Sequence, residues 1–427
     1  MKLTKLDAHS LVVLVSAFIF LIVGAHSAIH SSIDFAPPYG GARCLLHGCN
    51  PYEVVQWVGQ YLQGGGPAKL VPPWTTATSV YPPSTLLVLS PLGLISFPVA
   101  RMLWVLLSGS LYVTAVWVTL AICPQTHRWI GTLLGSVFLI TSGELLGTGN
   151  PVFLAVALVA IGSFLFLRAR YIPLATLSLT LSLAVKPQIG GLIVLYLLLR
   201  KIHWRSIMLA LTGALVLLLL ACLILEIHPQ SRDWASRLRA NQADTLKLGR
   251  VNDPRPANAI AIGDANLQTI TSIFFVNPTA FNDVAYGVFA VLLSLFIVAI
   301  LKAGSDGGID YLALGALSGL SLLAVYHRHY DTRLLLLAIP SISIVFQKRR
   351  FLGAVIAATT VLSITCVQCR LLVLVEAHAG LKAILQEKFL FMLLLRQQNL
   401  ALLLLCCLYV IVIFTTRFAH DTASEAF

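Results

Sequence analysis

The chain has 427 residues, of which 58% are hydrophobic and 11% charged, with a formal net charge of +12. A soluble domain carries about 25% charged residues, so this composition excludes a chain with an ordinary water-facing surface. The basic excess is scattered over short segments and not gathered into one patch, which argues against a nucleic-acid partner and for short cytoplasmic loops between membrane spans. The apolar runs are continuous Leu, Val, Ile and Ala, without the alternation of a β-barrel. Helices are the remaining way to satisfy backbone amides in hydrocarbon. The expected fold is all-α: a polytopic transmembrane helical bundle of about 11 to 13 spans. It forms a single membrane domain over residues 1–427, with large external loops at 31–80 and 228–283.

In chain order, the first apolar run is Leu11 to Ile29, preceded by Lys2 and Lys5. It reads as a retained span, because it is longer than a signal-peptide core and no small-residue cleavage site follows. Between Tyr81 and Cys123 the apolar sequence is too long for one span and is broken by Pro91 and Pro98. Either two short helices or one span with a helix lying in the interface would fit. The runs Val152–Leu167, Tyr171–Val185, Ile189–Leu199 and Ile207–Ile227 follow. Placing Arg168 with Arg170, and Arg200 with Lys201 and Arg205, in the cytoplasm orients these four and sends 228–283 outside. Val284–Leu301, Tyr311–Val325, Thr332–Phe346 and Phe351–Cys369 continue the alternation, with Lys302 to Gly308 and Lys348 to Arg350 inside and Tyr326 to Arg333 outside. The segment Arg370 to Arg396 is amphipathic and suited to lying flat on the membrane, and the last span runs from Leu400 to Thr416. No internal repeat relates the two halves, which speaks against an inverted-repeat transporter.

Six cysteines, Cys123, Cys222, Cys366, Cys369, Cys406 and Cys407, fall in or beside apolar runs and read as small hydrophobes. Cys366 and Cys369 have redox spacing but no soluble domain around them. Cys44 and Cys49 lie in the first external loop, where an oxidising compartment permits a disulfide. His47 between them has no evident fourth ligand, so no metal site is expected.

Ionisable residues at the membrane boundary are the informative ones, since apolar surroundings make them costly. Asp34 follows the first span, Lys186-Pro187 separates two runs, and Tyr326-His327-Arg328-His329-Tyr330-Asp331 caps a third. One carboxylate and several cations at one depth suit the transfer of a sugar from a lipid phosphate. The leaving phosphate is already an anion and needs no proton, and cations stabilise the charge that grows on it. Only the incoming hydroxyl must lose a proton, which one carboxylate can accept. Glycoside hydrolysis differs, since its leaving alkoxide calls for a second carboxyl group. A single displacement of this kind inverts the anomeric centre. Each residue also has a plainer reading: Asp34 as a helix cap, Lys186 as a snorkelling lysine, the histidine–arginine turn as a solvated loop, and Tyr81-Pro82-Pro83 as an ordinary helix start. The alternative in another class is a transporter or flippase for an anionic lipid-linked substrate, using the same cations without a base.

Asp34-Phe35, Tyr39, Gly48-Cys49-Asn50-Pro51-Tyr52, Tyr81-Pro82-Pro83, Pro91-Leu92, Ala100, Trp104, Gly149-Asn150, Ala184-Val185-Lys186-Pro187 and Tyr326 to Asp331 occur in that order. Across roughly Asp34 to Pro340 this series resembles glycosyltransferase family 87 of the GT-C superfamily. That family includes polyprenol-phosphate-mannose-dependent α-1,2-mannosyltransferases of actinobacterial phosphatidylinositol mannoside synthesis. The resemblance implies Asp34 as catalytic base and Lys186 as a phosphate-facing lysine. It also implies that a histidine of the late loop binds donor phosphate or positions the acceptor; His329 fits that place better than His327, because Tyr330 follows it. With Arg328, Tyr81, Tyr39, Asn50 and Tyr52, these make up the expected substrate-binding set. Gly149-Asn150 stands where the family often has Gly-Gln, and Leu267-Gln268 is a poor copy of its Asn-Gln-Ser, which leaves sugar and acceptor open. Asp34 is followed by Phe35 and not by a second acid, unlike the metal-using relatives. No metal or cofactor is expected. The partners are a polyprenyl-phosphate sugar donor and a lipid or glycan acceptor, met by a multi-pass plasma- or inner-membrane protein whose active site is extracytoplasmic.

Overall fold

The computed structural model describes residues 7–71, 79–303, 307–368, 371–372 and 387–415. Lys2, Lys5, Cys369, the end of the last expected span and most of the segment expected to lie flat before Arg396 are outside the described residues. Among the described residues there is no β-strand, only an isolated antiparallel bridge between Asp264 and Arg328. The chain divides into two compact units, Met1–Val118 with Gly135–Asp253, and Thr119–Leu134 with Pro254–Phe427.

The first unit opens with α1 (Ala8–Ser31), whose first turn is capped by Asp7 accepting from the Ser10 amide at 2.7 Å. Three short helices follow: α2 (Ala36–His47), α3 (Val54–Gln63) and α4 (Pro83–Gly93). The first two lie in the stretch expected as an external loop, and α4 resolves the ambiguous apolar region as one short helix ahead of a long one, α5 (Phe97–Leu120). Next come α6 (Arg128–Ile140), whose residues up to Leu134 count with the second unit, α7 (Gly143–Gly147), α8 (Val152–Leu167), α9 (Ile172–Val185), α10 (Pro187–Leu199), α11 (Trp204–Ile227) and α12 (Trp234–Thr245).

α8 is apolar all round and almost wholly buried, as a helix surrounded by others must be. It packs on α9 and α10, and α9 packs in turn on α11 and α4. α11 does the opposite, exposing Leu209, Leu215, Leu219, Leu223 and Ile227 along its length. A long helix with an uncovered apolar face belongs in hydrocarbon. α7 lies against α1 because Gly143 and Gly147 have no side chains to hold it off; a Cβ on Gly147 would come within 2.3 Å of Ser27.

The second unit contains α13 (Gln268–Thr271), α14 (Pro278–Ala303), α15 (Gly307–Ala324), α16 (Ile339–Lys348), α17 (Arg350–Ile364), α18 (Lys388–Leu395) and α19 (Gln397–Thr415). α19 packs on α14, α15 and α17. The expected span Thr332–Phe346 is not one α-helix. A 3-10 segment, His329–Ala338, leads into the shorter α16. It is long for 3-10 geometry, and its residues from Asp331 to Ala338 are all buried.

Among the described residues, five helices are long and apolar enough to cross a membrane: α1, α5, α11, α14 and α19. Shorter apolar helices accompany them, including α4, α8, α9, α10 and α17. Cys44 and Cys49 form a disulfide that closes the turn after α2. Cys366 is also disulfide-bonded, so its reading as a small apolar residue is corrected; it follows the last turn of α17 and does not sit inside a span.

Candidate active site

Asp34 lies in the turn that ends α1. Ser32 folds back to donate to the Ala28 carbonyl at 2.6 Å, and the Asp34 amide donates to the Thr148 carbonyl at 3.0 Å. The Asn150 side chain fixes the carboxylate. Its Oδ1 accepts from the Val152 amide at 3.1 Å, at the start of α8, which orients the amide so that Nδ2 donates to Asp34 Oδ2 at 3.4 Å. Tyr81 donates its hydroxyl to the Asp34 carbonyl, also at 3.4 Å. Both bonds are long. The carboxylate is only partly buried.

The neighbouring Phe35 holds this turn in place. It is fully buried, stacked 5.6 Å from Trp104 at 12° and 5.9 Å from Phe97. Trp104 Nε1 donates to the Gly149 carbonyl at 2.9 Å. Gly149 has φ +78, and a Cβ there would stand 2.5 Å from Phe35 Cβ. Only glycine combines that left-handed conformation with that approach. Asp-Phe, the tryptophan and Gly-Asn are thus one packed unit, although together they span more than a hundred residues of sequence.

Lys186 occupies the break between α9 and α10, partly buried and out of the helical conformation that a following proline disfavours. The start of α4 is tied to the same break. Ser84 donates to the Ala184 carbonyl at 2.7 Å, and Thr85 to the Val185 carbonyl at 2.7 Å. These hydroxyls satisfy carbonyls that a helix end leaves open. Tyr81, just before α4, therefore links the Asp34 turn to the Lys186 break, and both lie at one end of the unit. Arg168, Arg170, Arg200, Lys201 and Arg205 flank the turns at the far ends of α8, α9, α10 and α11.

Tyr39, Asn50 and Tyr52 are buried. Tyr39 donates to the Ile95 carbonyl at 2.7 Å and Tyr52 to the Tyr81 carbonyl at 2.9 Å. Asn50 donates to Asp233 at 2.7 Å and accepts from the Tyr52 amide at 2.9 Å. Burial pushes both phenols above their ordinary pKa. These contacts make the three residues part of the framework beneath Tyr81.

In the second unit, Tyr326 to Asp331 follow α15. The His327 carbonyl accepts from the Ala265 amide at 2.8 Å, beside the Asp264–Arg328 bridge. His327 Nδ1 pairs with Asp331 Oδ2 at 3.1 Å, and both side chains are buried. His327 Nε2 is buried without a protein partner. Asp331 also accepts from the Arg328 amide at 2.9 Å, which caps the 3-10 segment. The Arg328 guanidinium donates to the Tyr326 hydroxyl and stands 3.9 Å from Asp264. His329 lies against Gly263, where a Cβ would come within 3.2 Å of its Nδ1. Burial, with Arg333 and Arg328 nearby, lowers its pKa to about 4. At neutral pH it is an uncharged imidazole, not the cation that phosphate binding by charge would use.

Three buried charges here were not singled out from sequence. Asp264 lies in the polar stretch before α14. Arg333 donates to the Ile364 carbonyl at 2.8 Å, and Arg396 donates to the Ala261 carbonyl. Burial lowers the pKa of Arg396 to about 10, against the raising effect of Asp264. Arg333 had a legible signal, since a charge inside an expected span is costly.

The model of glycosyltransferase family 87 matches residues 80–326, more than half of the chain. The chain belongs to glycosyltransferase family 87. It is therefore a membrane glycosyltransferase. Neither a search of curated proteins nor one of solved structures returned a match. The family 87 match takes in Tyr81, Trp104, Gly149-Asn150 and Lys186-Pro187 and stops at Tyr326. Asp34 and His327 to Asp331 lie outside it. Within this family 87 chain, the tie from Asp34 to the matched region is the hydrogen bonding of Asn150, Thr148 and Tyr81.

Proposed function

We propose that this protein transfers a hexose, mannose being the first candidate, from a polyprenyl-phosphate carrier to a hydroxyl of a lipid or glycan acceptor on the extracytoplasmic face of the cell membrane. The observation that carries the reading is the mounting of Asp34: a partly exposed carboxylate held by Asn150 on a turn locked by Phe35, at the end of the unit that also bears Lys186. The opposite end carries the basic turns expected in the cytoplasm, which supports an extracytoplasmic position for Asp34.

In the proposed reaction Asp34 takes the acceptor hydroxyl proton while the acceptor oxygen attacks the anomeric carbon. The bond from that carbon to the phosphate oxygen breaks, and the carrier leaves as polyprenyl phosphate. Attack opposite the leaving group inverts the anomeric centre. Asn150 orients the carboxylate through its hydrogen bond to Oδ2. Lys186 supplies positive charge to the phosphate. No metal or cofactor takes part in this scheme.

The deciding test is Asp34→Asn in membranes supplied with a labelled polyprenyl-phosphate sugar. Loss of at least about 100-fold in turnover at normal expression is expected for removal of a general base. Full turnover would rule the base assignment out. Movement of the labelled lipid across liposomes without a new glycosidic bond would instead favour a flippase.

A further inference from the structure

The layer of short helices after Asp34 carries a feature that this reaction does not use. α3 buries Trp57, Val58 and Tyr61 on one side. Gln56, Gln60 and Gln63, spaced i, i+4 and i+7, share another side of the helix. Gln230, from the 3-10 turn that follows α11, joins them, and the four amides line a cavity of about 220 Å³ with Gly59 and Cys49.

A merely solvated helix face mixes Glu, Lys and Arg of both signs. Here every polar lining group is an amide, contributed by two distant parts of the chain, and no charged residue lines the cavity. It therefore offers no countercharge to a phosphate. Amides both donate and accept hydrogen bonds, which matches the adjacent hydroxyls of an uncharged sugar. Two details mark the site as built. Gln56 is held by accepting from the Asn50 amide at 2.6 Å, whereas Gln60 Oε1 is buried with no protein partner. A Cβ on Gly59 would meet no atom within 4 Å, so the pocket is open where a side chain would fill it. The Cys44–Cys49 disulfide and the chain from Asn50 to Tyr52, whose hydroxyl reaches Tyr81, tie the pocket to the Asp34 end.

We propose that this pocket is a subsite for a neutral sugar unit of the acceptor, away from the hydroxyl that reacts. The twelve-residue α2 separates Asp34 from the pocket's Cys49 edge, about 18 Å by helix rise, so the subsite would select acceptors that already carry sugar. The proposal rests on the reading of Asp34 as the base of a glycan-extending transferase.

The test uses the full-length protein in nanodiscs, with maltotriose and mannotriose as neutral probes, inorganic phosphate as competitor, and saturation-transfer NMR as readout. Wild type and Asp34→Asn should bind at least one trisaccharide saturably, undisturbed by phosphate. Gln60→Ala/Gln63→Ala should weaken binding about tenfold, the effect of losing one or two hydrogen bonds. If the double variant fails to fold, as judged by size exclusion, Gln63→Ala alone carries the test, since that side chain is exposed. No saturable binding by either probe, displacement by phosphate, or unchanged binding in the glutamine variants overturns the subsite. Asp34→Asn separates the two readings: retained turnover in that variant defeats the base assignment and leaves the pocket standing, and lost saccharide binding in wild type does the reverse.

Discussion

Gly149→Ala tests whether the aromatic clamp positions the base. Alanine in the left-handed conformation found at φ +78 costs about 1–2 kcal/mol. A second cost is specific to the site. The new Cβ would lie 2.5 Å from Phe35 Cβ, where unstrained carbons keep about 3.5–4.0 Å. Phe35 must move by about 1 Å, and Asp34 moves with it; a displacement of that size costs on the order of 100-fold in turnover. Gly249→Ala is the control, because it has φ +73 and a Cβ there meets nothing within 4 Å. Both variants should lower the thermal midpoint in detergent, Gly149→Ala by more because of the added clash. Only Gly149→Ala should lose transfer of labelled sugar. Equal activity in the two variants would mean that the packing of Phe35 does not set the Asp34 geometry.

Three further outcomes are expected. Asn150→Asp sets a second carboxylate about 3.4 Å from Asp34, so one of the pair must hold a proton to higher pH. The acidic limb of the pH–turnover profile should move up by at least about 1 unit, and an unmoved limb would separate Asn150 from the base. His329 refuses a proton until about pH 4, whereas the unfolded chain takes one near about pH 6.5. Its contribution to stability is therefore complete above that value and is lost as pH falls toward 4; His329→Gln should flatten the melting profile across that window, and an identical slope would refute the assignment. Asn399 donates to the Asp264 carbonyl at 2.9 Å and to Thr269 at 2.7 Å, and accepts from the Asn266 amide at 3.1 Å. Asn399→Leu strands these buried groups and should destabilise the protein by about 1–3 kcal/mol, read as a lower denaturation midpoint; no change would show that water replaces the amide.

Much of the candidate site stood out because membrane boundaries make polar residues conspicuous. Asp34, Lys186 and the Tyr326 to Asp331 turn stand out wherever long apolar runs end. The roles of Tyr39, Asn50 and Tyr52 were not legible, since a motif shows that a residue is present and not whether its hydroxyl faces a substrate or a backbone carbonyl. The protonation of His329 was hidden for a related reason. Its neighbours Arg333 and Gly263 act through space, and neither is marked by spacing. The segment from Thr332 read as one span because Leu334 to Leu337 are apolar; the 3-10 geometry depends on how Asp331 caps the backbone at Arg328.

By itself the sequence determined that the chain is a helical membrane protein, because so few charges cannot clothe a soluble surface and backbone amides in hydrocarbon must be paired within helices. It also placed most of the long apolar helices and the basic turns that follow α8 and α10. The tertiary structure alone decided that Gly149-Asn150, Trp104 and Tyr81 converge on Asp34-Phe35, that α3 turns an amide face to a cavity, and that Arg333 and Arg396 are buried. Those outcomes depend on contacts between residues tens to hundreds of positions apart, whose geometry comes from side-chain packing and carries no periodic mark in the chain.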